Sequence, residues 1–415
     1  MNEKKRNSPP PSKSKLKFVS SMDFACPTAW TTSYASYHAD VLAGHLPPRY
    51  LVHTCDSGFA DCAVGAVTAL YLAVLSRRAL VIGRQSMRHF FKPNEPSAHL
   101  NAVFDQPSIN WTLDSSRWKT ALVSKTFSMA GLELQSQKVR SFLDEGACDD
   151  KSSEVFHLYS NAGLIHQLVH HPNFAPKLDA MGLTIENALG CGLDFLYSPK
   201  DAVAARMKSQ MDELHVSAET PRRPLLAVHL RTGDAAVFRG RDHSPLHQDI
   251  SGVVECIETV REHIRAQVTA RLHSFYTWEN QVENEPAIYI ISDNLYVRGA
   301  LKHRFPDATI KIDAKPEHSF RQANGITVAG LELAAGEFWM FRMADYHIIT
   351  VRSGFGRAAA AAGPSHHSGW QINNHVKQLL LSTDRRTFQH SAWAKGCTLD
   401  DVLSLDDMVR LPPGV

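Results

Sequence analysis

Residues 225–234 read Leu-Leu-Ala-Val-His-Leu-Arg-Thr-Gly-Asp, a run of apolar residues that ends in a charged turn. A short apolar run before a turn is typical of a strand that is buried on both faces of a sheet. Further buried strands alternate with helical segments from here to residue 351. Because such alternation builds parallel sheets with helices on both faces, the stretch predicts a doubly wound α/β unit.

The rest of this half repeats the pattern. We predict strands at 225–230, 288–292, 309–312 and 346–351, and helices at 252–272, 297–304 and 327–343. Together they form a predicted Rossmann-like domain at 225–365. A helical tail is expected at 366–415, with helices at 376–381 and 399–409.

The first half starts with a strand, a turn and an apolar helix. Residues 50–53 read as a strand and 56–59 as a turn. Apolar side chains recur at three- and four-residue steps in 61–77, which predicts a helix, and 79–83 reads as a second buried strand. A strand, helix and strand in this order indicate a second parallel sheet.

Irregular segments set the predicted domain limits. Residues 217–224 place two prolines among charges and are the predicted linker, because proline disfavours both helix and sheet. The domain before it is assigned to 46–215. Residues 1–45 are predicted to be a tail that is largely disordered at its start, where Lys, Ser and Pro dominate.

Composition excludes several classes of protein. The 415-residue chain has 44 basic and 42 acidic side chains, a formal charge of +2, which argues against broad nucleic-acid binding. The longest apolar run, 66–75, is far shorter than the ~20 residues of a membrane helix. We therefore expect no nucleic-acid partner and no membrane segment in this chain.

Cysteines and histidines give no metal pattern. The seven cysteines are an odd number with no CxxC pair, so their spacing indicates neither a disulfide framework nor a zinc site, and the disulfide status stays open. Cys55 and Cys62 flank the turn at 56–59 as a potential reactive pair, although buried single cysteines are commoner. His166 and His170 lie one helical turn apart without the glutamate of an HExxH motif, so no metal site is predicted.

Polar residues follow three strands of the second half, where an open parallel sheet binds its ligands. They are His229, Arg231 and Asp234; Asp293; and Ser353, Gly354, Phe355 and Arg357. Arg231 offers a planar fork for phosphate oxygens, and the helix that begins after Ser353 offers amide groups and a positive dipole end. Asp293 and Asp234 suit hydroxyls, a guanine edge or an adjacent arginine. Alternatively, the His-Leu-Arg element is an ion-paired structural feature and Ser353 a simple helix cap.

These motifs resemble those of the superfamily of α1,6-, plant α1,2- and protein O-fucosyltransferases. The family's HxRxxD-like element corresponds to residues 229–234, its [TS]D strand end to 292–293, and its SSFSR-like turn to 352–357. The turn, helix and strand at 58–82 resemble its Gly-rich first motif. Asp61 and Cys62 stand where the family has Asn-Arg or Asp-Arg, and Thr232 stands where a second arginine often follows.

The resemblance implies a GT-B-like fold in which two Rossmann-like, doubly wound domains face a cleft. It implies GDP-fucose as the donor, a glycan or protein hydroxyl as the acceptor, inversion at the anomeric carbon and no required metal or other cofactor. Arg231 would contact the β-phosphate, His229 would shape that site, and Asp293 would bind the nucleoside. Ser353, Gly354 and Phe355 would complete the diphosphate site.

An inverting transfer to a hydroxyl benefits from a carboxylate that removes the acceptor proton. Asp61 is the tentative base and Asp56 the alternative, because both belong to the first domain's turn. Asp61 equally suits a structural place in the first turn of a helix. Two alternative functions stay open: the same fold with another nucleotide sugar, and a catalytically inactive nucleotide- or glycan-binding module. The expected location is the Golgi or secretory lumen if an anchor has been lost, and otherwise the cytoplasm.

Overall fold

The computed structural model describes residues 26–55, 58–82, 104–105, 108–109, 124–129, 143, 154–160, 163–214, 223–231, 250–275, 285–310, 327–350, 353–363, 378–381 and 402–403. Its helices are α1 Thr28–Ala43, α2 Phe59–Leu75, α3 Ile165–His170, α4 Ala175–Ala180, α5 Ala188–Leu196, α6 Asp201–Glu213, α7 Ser251–Phe275, α8 Leu295–Arg304, α9 Val328–Arg342 and α10 Gly354–Ala361. Its strands are β1 Tyr50–Thr54, β2 Ala79–Ile82, β3 Phe104–Asp105, β4 Ser124–Met129, β5 Val155–Ser160, β6 Ser198–Pro199, β7 Leu225–Leu230, β8 Ala287–Ser292, β9 Tyr346–Thr350, β10 Gln378–Leu381 and β11 Val402–Leu403.

Two mainly parallel sheets organise the chain. The first has the order β2-β1-β5-β4, and all its pairs are parallel. The second has the order β11-β10-β9-β7-β8 and is parallel except at β11. In the second sheet, β7 lies between β8 and β9, so the ends of these three strands are neighbours. The predicted alternation is confirmed for β7, β8 and β9, and the chain is an α/β protein. The predicted strand at 309–312 is not found: Thr309 forms only an isolated bridge to Tyr289, and residues 311–312 lie outside the described residues.

Helix α2 packs against β1, β2 and β5 of the first sheet and against α5 and α10. Every residue from Phe59 to Ala73 is buried except Asp61, as expected of a helix that is apolar on all faces. One continuous core includes Leu51 of the first sheet and Ala227 of the second. Val228, on the other face of β7, packs in a separate cluster that includes residues of α7 and α8. The second sheet is thus covered on both faces.

The N-terminal limit of the first unit was predicted wrongly. Residues 28–43, assigned to the tail, form α1, whose Trp30 and Tyr34 are buried in the main core. Tyr34 donates a hydrogen bond to the carbonyl of Arg78 and accepts one from the amide of Leu80, so α1 is fixed against β2. The burial of these aromatic side chains makes the segment part of the fold, although many of its other residues are polar.

The C-terminal segment was also predicted wrongly. Residues 378–381 form β10 instead of a helix, and 402–403 form β11 within the second predicted helix. Because β10 extends the second sheet in parallel beside β9, the predicted limit at residue 365 excludes part of that sheet. A short apolar run suits a buried strand as well as a helix, and its pairing with β9 decides.

Disulfide bonds correct the interpretation of the cysteines. Cys26 is bonded to Cys191 and Cys55 to Cys62, and Cys256 is disulfide-bonded as well. The first bond ties the start of α1 to α5, and the second spans the turn between β1 and α2. The sequence left the disulfide status open, and the structure assigns these cysteines to disulfide bonds.

None of the helices in the described ranges combines the length and the apolarity that a membrane span requires.

Candidate active site

The carboxyl ends of β7, β8 and β9 lie side by side and bring the predicted residues together. The pairing places Leu230 opposite Ser292 and His229 opposite Ile349. Arg231 and Asp293 come directly after β7 and β8, and Ser353 follows β9 at the start of α10. The site is therefore built from three strand-to-helix turns of one sheet.

Thr350, the last residue of β9, joins two of these turns. Its hydroxyl accepts a hydrogen bond from the amide of Arg231 at 2.9 Å and donates one to the carbonyl of His229 at 3.2 Å. Its own carbonyl accepts the amide of Ser353 at 3.1 Å. The backbones of Arg231 and Ser353 are thus held by a single residue. Thr350 was not predictable from the sequence, because its role depends on the pairing of β7 with β9.

Arg231 forms an ion pair with Asp293. Its Nη1 lies 3.3 Å from Oδ2 of Asp293, and the two side chains are 30% and 6% exposed. An adjacent arginine was one of the partners predicted for Asp293, and the structure shows this contact. Because the guanidinium is partly exposed, it can also present N–H groups to an anion.

Ser353 occupies the N-cap position of α10, but its side chain makes no capping hydrogen bond. The bond from the Arg357 amide to the Ser353 carbonyl, at 3.2 Å, begins the helical pattern. The amides at 354–356 precede that bond and lie at the positive end of the helix. This is the geometry of a helix terminus that binds an anion.

Asp61 lies against this helix terminus. A Cβ atom added to Gly354 would lie 2.6 Å from Oδ1 of Asp61, so an alanine there would displace the carboxylate. Asp61 belongs to the first turn of α2 and is partly buried. Its carboxylate is thus near the positive ends of two helices, which stabilise a negative charge. The contact joins the tentative base to the predicted phosphate helix, and it equally suits the structural role.

His229 is a buried neutral ring beneath α10. It stacks on Phe355 at 5.4 Å and meets the edge of Phe341 at 6.0 Å. Burial, with a smaller contribution from the positive charges of Arg231 and Arg298, lowers the pKa of His229 to about 3. Its Nδ1 has no hydrogen-bond partner in the described part of the chain. A ring that is uncharged at neutral pH shapes the site without attracting an anion.

Gly356 allows the close approach of α10 to His229. A Cβ atom there would lie 2.2 Å from Cγ2 of Ile349 and 2.8 Å from Nδ1 of His229. Gly356 belongs to the motif at 352–357, from which no role was predicted for it. The sequence Gly354-Phe355-Gly356 soon after a strand is the signal that could have indicated a close helix-to-strand contact.

The remaining predicted residues are less informative. Arg357 lies in α10 and is 8% exposed. Asp234 and Asp56 fall outside the described residues, so their roles stay predictions. His166 and His170 stack on each other at 4.4 Å. Within the described ranges, no group of three metal-ligating side chains is placed to hold a metal ion.

Comparison with known proteins rests on structure. The sequence matches no protein-family model. It also matches no curated protein sequence. A GDP complex of a mutant of Arabidopsis thaliana FUT1 is similar to the chain with a TM-score of 0.56, at 12% identity, over 89% of this chain and 82% of that one.

Two other solved structures are similar to the chain with lower TM-scores. Fucosyltransferase NodZ from Bradyrhizobium gives a TM-score of 0.46 at 14% identity, over 77% of this chain and 94% of that one. A GDP complex of POFUT1 gives 0.37 at 12% identity, over 81% and 99%. Through its similarity to the plant enzyme, the chain has a fucosyltransferase-like α/β fold.

Proposed function

We propose that the chain is an inverting glycosyltransferase that transfers fucose from GDP-fucose to a hydroxyl of a glycan or protein. We further propose that its sheets belong to two Rossmann-like domains of a GT-B arrangement. One observation carries the proposal. The backbone amides of Arg231 and Ser353 both donate hydrogen bonds to Thr350, which places Arg231 beside a helix terminus suited to an anion. The solved plant fucosyltransferase with a similar fold is a GDP complex, which supports a guanine nucleotide as the donor.

The donor diphosphate would lie between Arg231 and the start of α10. The guanidinium would contact the β-phosphate, and the amides of Gly354 and Phe355 with the Ser353 hydroxyl would bind the other oxygens. Asp293 would orient Arg231 and bind the nucleoside, while His229 would support the helix from below. These fixed positive groups stabilise the charge of the departing GDP, so no metal ion is required. Asp234 and Arg357 are proposed as further donor contacts.

Transfer would proceed by direct displacement. The acceptor hydroxyl forms its bond to the anomeric carbon as the bond to the β-phosphate oxygen breaks on the opposite face, which inverts the configuration. The hydroxyl proton passes to a carboxylate. We propose Asp61 for this role because it lies against Gly354, at the end of the proposed diphosphate site. Asp56 is the alternative base.

Nucleotide titration tests the donor. Isothermal titrations with GDP, UDP and CDP, each with and without EDTA, should show a preference for GDP that EDTA leaves unchanged. A preference for UDP would indicate that the donor is a UDP-sugar and not GDP-fucose. Absence of binding by any of the three would refute a nucleotide-sugar transferase.

Substitution of Arg231 tests the reaction. Arg231→Ala should lower kcat/KM for GDP-fucose transfer about 100-fold, about 3 kcal/mol, when assayed on protein that is shown to be folded. Arg304→Ala is the matched control, because Arg304 is 58% exposed near the carboxyl end of α8 and should leave transfer unchanged. GDP binding by the wild type without hydrolysis or transfer of GDP-fucose would favour the inactive binding module.

A further inference from the structure

Arg298 is an almost fully buried arginine on α8, immediately behind the proposed donor site. Its side chain is 1% exposed and forms an ion pair with Glu337 of α9, with Nη1 and Oε1 2.8 Å apart. Its Nε donates a hydrogen bond of 2.6 Å to the carbonyl of Ser292. Arg298 therefore connects α9 to the last residue of β8.

The residue that follows this carbonyl is Asp293, the partner of Arg231. The other side of the turn is fixed by Asn294, whose amide donates to Oγ of Ser292 at 3.2 Å. The Asn294 side chain also accepts the amides of residues 296 and 297 and so caps α8. The orientation of Asp293 thus depends on groups that are anchored to α8 on one side and to α9 on the other.

A buried ion pair is a costly way to stabilise a fold. Removing two charges from water offsets much of their attraction, and apolar residues of similar volume often stabilise equally well. Such a pair is understandable where the fork of an arginine must hold one particular backbone carbonyl. Here that carbonyl belongs to the turn that carries a proposed donor-binding carboxylate.

We propose that Arg298 and Glu337 are positioning residues that hold the 292–294 turn so that Asp293 can orient Arg231 toward the donor diphosphate. The proposal rests on the function proposed above. Neither residue touches the donor, and each acts through the Ser292 carbonyl.

A double substitution separates positioning from stability. Arg298→Met with Glu337→Met removes both charges and keeps apolar volume, so the unfolding midpoint should stay close to that of the wild type. The dissociation constant for GDP should nevertheless rise about 10-fold. The control is Arg261→Met with Glu285→Met, which removes the Arg261–Glu285 ion pair, and with it the Arg265–Glu285 pair, at the other end of β8 and should leave GDP affinity unchanged.

A coupling measurement provides a readout that a purely structural role would not change. Asp293→Asn should weaken GDP binding about 10-fold in the wild type and much less in the Arg298→Met/Glu337→Met background, since Asp293 is already misplaced there. Equal effects in both backgrounds, or wild-type GDP affinity in the double variant, would overturn the proposal.

Arg298→Lys covers the case in which the double variant does not fold. Lysine keeps the charge opposite Glu337 but lacks the fork that also reaches Ser292, so GDP affinity should fall about 5-fold. An unchanged affinity would contradict the positioning role. Failure of the wild type to bind GDP would instead overturn the proposed function, and this inference with it.

Discussion

The two sheets hold the turns of the site by different means. In the first sheet, a disulfide bond between Cys55 and Cys62 spans the turn that contains Asp61. In the second sheet, hydrogen bonds of Thr350 and the Arg231–Asp293 ion pair hold the turns after β7, β8 and β9. Both candidate bases, Asp56 and Asp61, belong to the segment that this disulfide closes. The turns after β7, β8 and β9 are held by several residues together. A single substitution there should therefore weaken the site only in part.

The two described disulfides close loops of very different length. Their sequence separations are 165 residues for Cys26–Cys191 and 7 residues for Cys55–Cys62. The loop-closure entropy of the unfolded chain predicts stabilisation of about 5 kcal/mol for the long loop and about 2.5 kcal/mol for the short one. The long-range bond therefore stabilises the fold, whereas the short one mainly fixes the geometry around Asp61.

Removal of each disulfide gives the largest predicted effects. Cys26→Ser with Cys191→Ser should lower the free energy of unfolding by about 5 kcal/mol, and Cys55→Ser with Cys62→Ser by about 2.5 kcal/mol, as measured by urea unfolding. In assays of folded protein the order should reverse. Only the Cys55/Cys62 variant should lose kcat, about 10-fold, because Asp61 is then no longer fixed against Gly354. Equal kcat in the two variants would remove the geometric role of the short bond.

Gly356→Ala should destabilise the second sheet's turns by about 3 kcal/mol, because the added methyl group meets Ile349 and His229. Gly299→Ala is the matched control: Gly299 lies in α8 with nothing within 4 Å of the added Cβ, so alanine should stabilise the protein by about 1 kcal/mol. Urea unfolding of both variants checks the pair. A stable Gly356→Ala protein would show that α10 does not press on His229.

The burial of His229 predicts an effect of pH on stability. Its pKa is about 3 in the folded chain, against about 6.5 when unfolded, so the unfolded state binds more protons between these values. Stability is therefore lost as pH falls below 6.5. Between pH 7 and pH 5 the wild type should lose about 2 kcal/mol more than His229→Phe. Denaturant midpoints at the two pH values test this, and equal losses would mean that the ring is protonated in the folded state.

Thr350→Val should have the smallest effect, about 1 kcal/mol of stability and about 5-fold in GDP affinity, because it deprives the Arg231 amide of its acceptor. Thr350→Ser keeps the hydroxyl and serves as the control. Calorimetry of GDP binding distinguishes the two. If valine and serine behave alike, the hydroxyl does not hold the turn.

Sequence patterns predicted the parts of the fold that have strong periodicity. The strands at β7 and β8 and the helices α2 and α7 were found because their apolar residues are numerous and regularly spaced. The strand β10 was mistaken for a helix, because four residues give no clear period. Helix α1 was missed because its few buried aromatic residues matter only once β2 lies beside them.

The positions of Arg231 and Asp293 were more predictable than the groups that support them. The position of Arg231 and Asp293 after parallel strands placed them at one edge of the sheet, and the structure pairs them. The contributions of Thr350 and Arg298 depend on strand register and helix packing, which a single sequence does not contain. The disulfides were missed because sequence spacing does not determine which cysteines meet in space.

A crystal structure of the chain with GDP tests the central claim most directly. The account predicts that the β-phosphate lies between the guanidinium of Arg231 and the amides of Gly354 and Phe355, with Asp293 still beside Arg231. A diphosphate bound elsewhere, with Arg231 contacting only Asp293, would contradict it.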